Sequence, residues 1–104
     1  MENAAFFCDM QAMSNSERER YQELREELEK TIQEIKELEN GYAFRWRGEA
    51  VSLLDVAEWV EKERKCCSFF DFEIAAERER GPVWLKITGG PGVKPFLRAE
   101  FGVR

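Results

Sequence analysis

Apolar positions recur every three or four residues between Ser16 and Glu39, at Tyr21, Leu24, Leu28, Ile32, Ile35 and Leu38, with Thr31 on the same side. That spacing predicts one long amphipathic helix over residues 14–40, carrying a narrow stripe close to the a/d seam of a coiled coil. Ser14-Asn15-Ser16-Glu17 marks its start, as a capping box in which Ser14 accepts from the Glu17 amide while the carboxylate reaches back. Asn40-Gly41 supplies the stop, and pairs such as Glu26 with Lys30 support the solvated face. The stripe has two uses: covering the domain's own sheet, or antiparallel pairing with a second copy in a homodimer.

From Tyr42 the period changes to two. Tyr42, Phe44 and Trp46 alternate with Ala43, Arg45 and Arg47, as in a half-buried strand that ends at Gly48. Ser52-Leu53-Leu54-Asp55 is a second box-like cap, and Leu53, Val56, Ala57 and Val60 form the inward stripe of a helix reaching about Lys65. Seven residues on from Val60 is Cys67, and seven on from Trp59 is Cys66, so Cys67 faces the core with Glu63 one turn before it. Phe70, Phe72, Ile74 and Ala76 alternate through a second strand running to Arg80, Gly81-Pro82 turns the chain, and Val83, Leu85 and Ile87 mark a third. After Gly89-Gly90-Pro91-Gly92 a short helix starts near Val93 or Lys94, with Pro95 in its first turn.

The expected order is helix, strand, helix, strand, strand, helix. A right-handed crossover makes the first two strands parallel, and the third inserts between them antiparallel to both. The result is an α+β fold, with a three-stranded mixed sheet in the order 1-3-2 and helices on one face. Residues 1–104 form a single domain, in which residues 1–13 are a packing arm made apolar by Phe6, Phe7, Met10 and Met13, and residues 42–104 hold the sheet and two helices.

Sixteen Lys and Arg against 21 Asp and Glu leave a net charge of -5, which opposes general binding to nucleic acid or to an anionic membrane. No apolar run approaches the roughly 20 residues of a bilayer span, and the first residues lack the basic and apolar regions of a signal peptide. The expected location is the cytoplasm, where thiols stay reduced. With three cysteines a complete disulfide framework within one chain is excluded, and each is expected to be a free thiol or a ligand.

Most conventional chemistry is excluded early. There is no histidine, so no serine has a base and hydrolase triads are out. The Gly89 to Gly92 run lacks the lysine and hydroxyl of a phosphate loop and reads as a plain strand-to-helix turn rather than an anion cradle. Adjacent thiols at Cys66 and Cys67, joined by Cys8 from the folded-back arm, would make a three-sulfur site suited to Cu(I), Zn(II) or a thiophilic ion such as Hg(II). Zinc would need a fourth ligand, and Glu63 or water could serve. Against this metal or metalloid site stand two other readings. Free cysteine often packs as a small hydrophobe, which would make the chain a structural, oligomerisation or interaction module. An exposed and acidified thiol would instead make a redox protein, although a helix carboxyl terminus raises a thiol pKa, offset in part by Arg64 and Lys65.

Glu63-Arg64-Lys65-Cys66-Cys67-Ser68-Phe69-Phe70-Asp71-Phe72-Glu73-Ile74, followed by Val83-Trp84-Leu85-Lys86-Ile87-Thr88-Gly89, resembles a group of small bacterial proteins with an E-R-x-C-C-P-F-x-x-F-x-L pattern. These also carry a cysteine near the start, matched by Cys8. Some members occur alongside metal-resistance functions, and the resemblance implies thiol ligation at Cys8, Cys66 and Cys67. Ser68 replaces the usual proline, which leaves the bend after the cysteines less rigid.

Overall fold

The computed structural model describes residues 8–102. The part of the arm expected to pack through Phe6 and Phe7 lies outside them. A 3-10 turn at Met10–Ala12 leads into α1 (Asn15–Thr31), β1 (Glu34–Leu38), β2 (Gly41–Trp46), α2 (Leu53–Cys66), β3 (Asp71–Ala76), β4 (Val83–Thr88) and α3 (Val93–Phe101). The fold is α+β, with one sheet in the order β1-β2-β4-β3 whose neighbouring strands are all antiparallel.

The expected 1-3-2 arrangement survives as β2-β4-β3, with β2 and β3 running parallel to one another and β4 antiparallel between them, but the sheet has a fourth strand. The additional edge strand, β1, is the stretch expected to continue the first helix. That helix begins as its capping box requires, with the Glu17 amide donating to Ser14 Oγ at 3.2 Å and the Ser14 amide donating to Glu17 Oε1 at 2.9 Å. It ends at Thr31, where β-branched Thr31 and Ile32 are poor helix formers. Two side chains satisfy the carbonyl of Leu28 in the last turn: the Trp46 indole donates at 2.8 Å and Thr31 Oγ1 at 3.3 Å. Released from the helix, the chain turns through Glu39-Asn40, and Leu38 pairs with Gly41.

Gly41 lies where backbones crowd. A Cβ there would meet the Ile87 carbonyl oxygen and come within 2.8 Å of Thr88 Cα. Neither can move without breaking the β2–β4 ladder, so Gly41→Ala is expected to lower stability by about 1–3 kcal/mol, read as a lower denaturant midpoint at unchanged m-value.

One face of the sheet presents Tyr42, Phe44 and Trp46 of β2 beside Val83, Leu85 and Ile87 of β4, and all six are buried. The helices cover this face with Tyr21, Leu24 and Leu28 from α1, Val56, Trp59 and Val60 from α2, and Val93 and Leu97 from α3. The seam of α1 therefore covers the chain's own core. Leu53 and Ala57, expected to face inward on α2, are exposed, and the inward turns are held by Trp59 and Glu63 instead. Ser52 caps α2 without the expected side-chain bond. The β3–β4 reversal is made at residues 78–80, with Glu79 and Arg80 at φ 61° and 57°, ahead of the expected Gly81-Pro82.

Candidate metal centre

The last turn of α2 and the arm meet at the cysteines. Helical spacing puts Trp59, Glu63 and Cys66 on the inward side with Val56 and Val60; Val56, Val60 and Glu63 follow the expected stripe, and Trp59 and Cys66 join it. The helix closes at Cys67, whose amide donates to the Glu63 carbonyl at 2.8 Å, and the Cys66 thiol lies 3.6 Å from the same oxygen. Cys67 is 0% exposed, as its spacing predicts, and Cys66, for which the spacing made no such prediction, is buried beside it at 3%.

The arm is held by several independent bonds. The Asp9 amide donates to the Cys66 carbonyl at 2.7 Å, and Asp9 Oδ1 caps the 3-10 turn by accepting from the Gln11 amide at 3.1 Å. Arg18 Nη1 donates to the carbonyls of Met10 and Met13 at 3.0 and 2.8 Å, while the Met13 side chain is buried in the core. These contacts place half-buried Cys8 beside the pair, with its Cα 4.5 Å from that of Cys67.

Cys8 and Cys67 form a disulfide across 59 residues of sequence, and Cys66 is the free thiol. This corrects the expectation of three separate thiols. An odd number forbids pairing all three but leaves one pair open, and the fold-back brings two Cα atoms within disulfide reach. The third sulfur stays close: Cys66 Sγ is 3.8 Å from Cys67 Sγ, and the Sγ atoms of Cys8, Cys66 and Cys67 all lie within 4.8 Å of one another.

Glu63 sits one turn away but outside that group of ligand atoms. Its side chain is 0% exposed, and Oε1 accepts from the Tyr21 hydroxyl at 2.6 Å. Oε2 has no partner, and neither does the buried Trp59 indole N–H one turn earlier. Burial pushes the Glu63 carboxyl up to about 7, opposed by the Tyr21 hydrogen bond and by Arg25. Burial and then the Glu63 carboxylate push the Cys66 thiol up to about 11. At neutral pH Cys66 therefore stays protonated, and it attacks the neighbouring disulfide slowly, because the thiolate is the nucleophile.

Sequence spacing found the three sulfurs and Glu63. It gave no sign of Tyr21 as the Glu63 partner, 42 residues away, or of Arg18 and Asp9 as the clasps of the arm. Tyr21 was legible only as part of a hydrophobic stripe. Of the aromatic set, Trp46, Trp59 and Phe70 are buried, while Phe72 and Trp84 are half-buried. Trp84 lies across the open face of the sheet under the Lys36 and Arg45 cations, at 5.9 and 5.7 Å. The apolar cleft between Phe44, Trp46, Trp59, Leu85 and Phe101 offers about 30 Å³, room for one water rather than an organic ligand. In the Gly89 to Gly92 loop, Lys94 is already paired with Glu37.

No protein-family model matches the chain, and no curated protein and no solved structure matches it. Among the described residues, no helix is long and apolar enough to cross a membrane.

Proposed function

We propose that the chain, with its cysteines reduced, captures a soft metal or metalloid ion on Cys8, Cys66 and Cys67 and does not act as an enzyme. The observation that carries this reading is the mutual approach of three sulfurs within 4.8 Å, with Cys8 brought to the pair across 59 residues of sequence. Thiolates of one ion lie roughly 4 Å apart, so small side-chain rotations suffice. The arm does not depend on the disulfide for its place, because the Asp9, Arg18 and Met13 contacts hold it as well. Reduction therefore leaves three thiols positioned together, and half-buried Cys8 gives an ion its first contact. Zn(II), Cu(I) and Hg(II) are all within the donor set's chemistry, and tetrahedral zinc would take water or a Glu63 released from Tyr21 as its fourth ligand.

The test is a cadmium titration of reduced protein, followed by sulfur-to-metal charge-transfer absorption. One ion per chain is expected, with Cys66→Ser and Cys67→Ser each weakening it at least tenfold, or about 1.4 kcal/mol. Equal affinities in variants and wild type would overturn the proposal. The disulfide itself favours a second reading, in which Cys8 and Cys67 staple the arm to the body and Cys66 fills the core; this reading expects no tight ion in the reduced state. The proposed setting is the cytoplasm. Homodimer formation is proposed through a face other than the α1 seam, and a monomer by light scattering at high concentration would end that proposal.

A further inference from the structure

We infer that this site, in the capture role proposed above, takes a trivalent metalloid of the arsenite or antimonite class and holds it as a neutral tris-thiolate complex. The donor count comes first. Among the described residues the cluster contains three sulfurs and no fourth ligand atom, and Glu63, one turn away, lies outside it with Oε1 held by the Tyr21 hydroxyl. Four-coordinate ions such as Zn(II) leave a position to fill in such a set, whereas a trivalent metalloid is satisfied by three sulfurs and points a lone pair at the fourth position.

Charge gives a second and independent argument. Three thiolates around a divalent cation carry a net negative charge, here among buried Cys66 and Cys67 and one helical turn from buried Glu63. A dry site beside a carboxylate penalises that product strongly. Arsenous acid avoids it: As(OH)3 and three S–H groups give As(SR)3 and three waters, with each thiol proton leaving on one hydroxide. Nothing is oxidised or reduced, and no charge is buried. Cys8 is the accessible entrant, and once it holds the metalloid the other two thiols react within the same molecule, at high effective concentration. The Cys8–Cys67 bond must open first. A phosphine does this, taking an oxygen from water to become its oxide while the two water protons go to the sulfurs.

The experiment uses the full chain reduced with a phosphine and exposed to arsenite, then weighed under native conditions. The expected product carries one arsenic atom in place of three hydrogens, and X-ray absorption shows three sulfur neighbours, a measurement that needs no variant. Antimonite behaves likewise, and an equal concentration of Zn(II) displaces neither. In Cys8→Ser, arsenic replaces two hydrogens, keeps one hydroxyl and binds at least tenfold more weakly. A wild-type adduct that retains a hydroxyl, or displacement by equimolar zinc, would overturn the inference. If cadmium is bound through the three cysteines and arsenite is refused, the ligand class is wrong and the capture role stands. If neither is bound, both fall.

Discussion

Cys8→Ser in the oxidised protein is expected to lower stability by about 4 kcal/mol at most and about 2 kcal/mol at least. The bridge spans 59 residues of sequence, more than half the chain, and cross-linking so long a loop removes many conformations from the unfolded state. The chain-entropy relation for a loop of that size gives about 4 kcal/mol, and contacts that already order the arm when unbridged reduce the effect. In a domain of this length the loss would lower Tm by about 10–30 °C. Phosphine reduction of the wild type should produce a similar decrease. Cys66→Ser should leave the bridge intact and cost far less than Cys8→Ser. A thiol count in denaturant without reductant checks the pairing directly, since one free thiol per chain is expected from Cys66 and three would show that the bridge is not formed. Ion binding to the reduced chain should restore part of the lost stability, because a ligand that binds only the folded state stabilises it by mass action. Bridge and bound ion thus compete for the same sulfurs.

Residues 32–40 show why part of the fold was not legible in the sequence. Ile32, Ile35 and Leu38 continue the three-residue spacing of the helix, and Glu34, Lys36 and Glu37 are good helix formers, so period and propensity both favour helix. The same residues also satisfy a strand, because Ile35 and Glu37 fall on one face and Glu34, Lys36 and Leu38 on the other. Asn-Gly stops helices and also marks hairpins, so it did not decide between them. What decides is tertiary: the exposed flank of β2 needs partners for its backbone, and residues 34–38 supply them. By contrast, β2, β4 and the N-cap of α1 were legible because local pattern and tertiary demand agree there. The candidate site divides in the same way. Helical spacing oriented Cys67 and Glu63 without reference to the rest of the chain. The pairing of Cys8 depends on how the arm turns at Met10–Ala12 and where Arg18 clasps it, and both are contacts across the fold.

Glu63→Gln should raise stability at pH 8 by about 3 kcal/mol in the oxidised, metal-free protein and leave it little changed at pH 4. The cause is a carboxyl moved by burial from an ordinary 4.5 to about 7 in the folded state. Below about pH 4.5 the group is protonated in both states, and its contribution to stability is fully present. Between pH 4.5 and about 7 the unfolded chain has released a proton that the native state retains, so stability falls as pH rises. Above about 7 both states are ionised and the loss is complete, at about 1.4 kcal/mol for each pH unit of that interval. The surrounding groups act in both directions: Tyr21 and Arg25 on α1 favour the ionised form, while Glu100 on α3 opposes it. Tyr21→Phe removes the hydroxyl that donates to Oε1, which should extend the decline to higher pH. Other carboxylates, Glu17 and Glu58 among them, are held low by Lys65 and Arg20 and lose their contribution in acid, so the informative quantity is the difference between variant and wild type. Chemical denaturation at half-unit steps from pH 4 to 8 measures it. Parallel profiles for Glu63→Gln and wild type would mean that this carboxyl titrates normally, and its unpartnered Oε2 would then have to be reaching water.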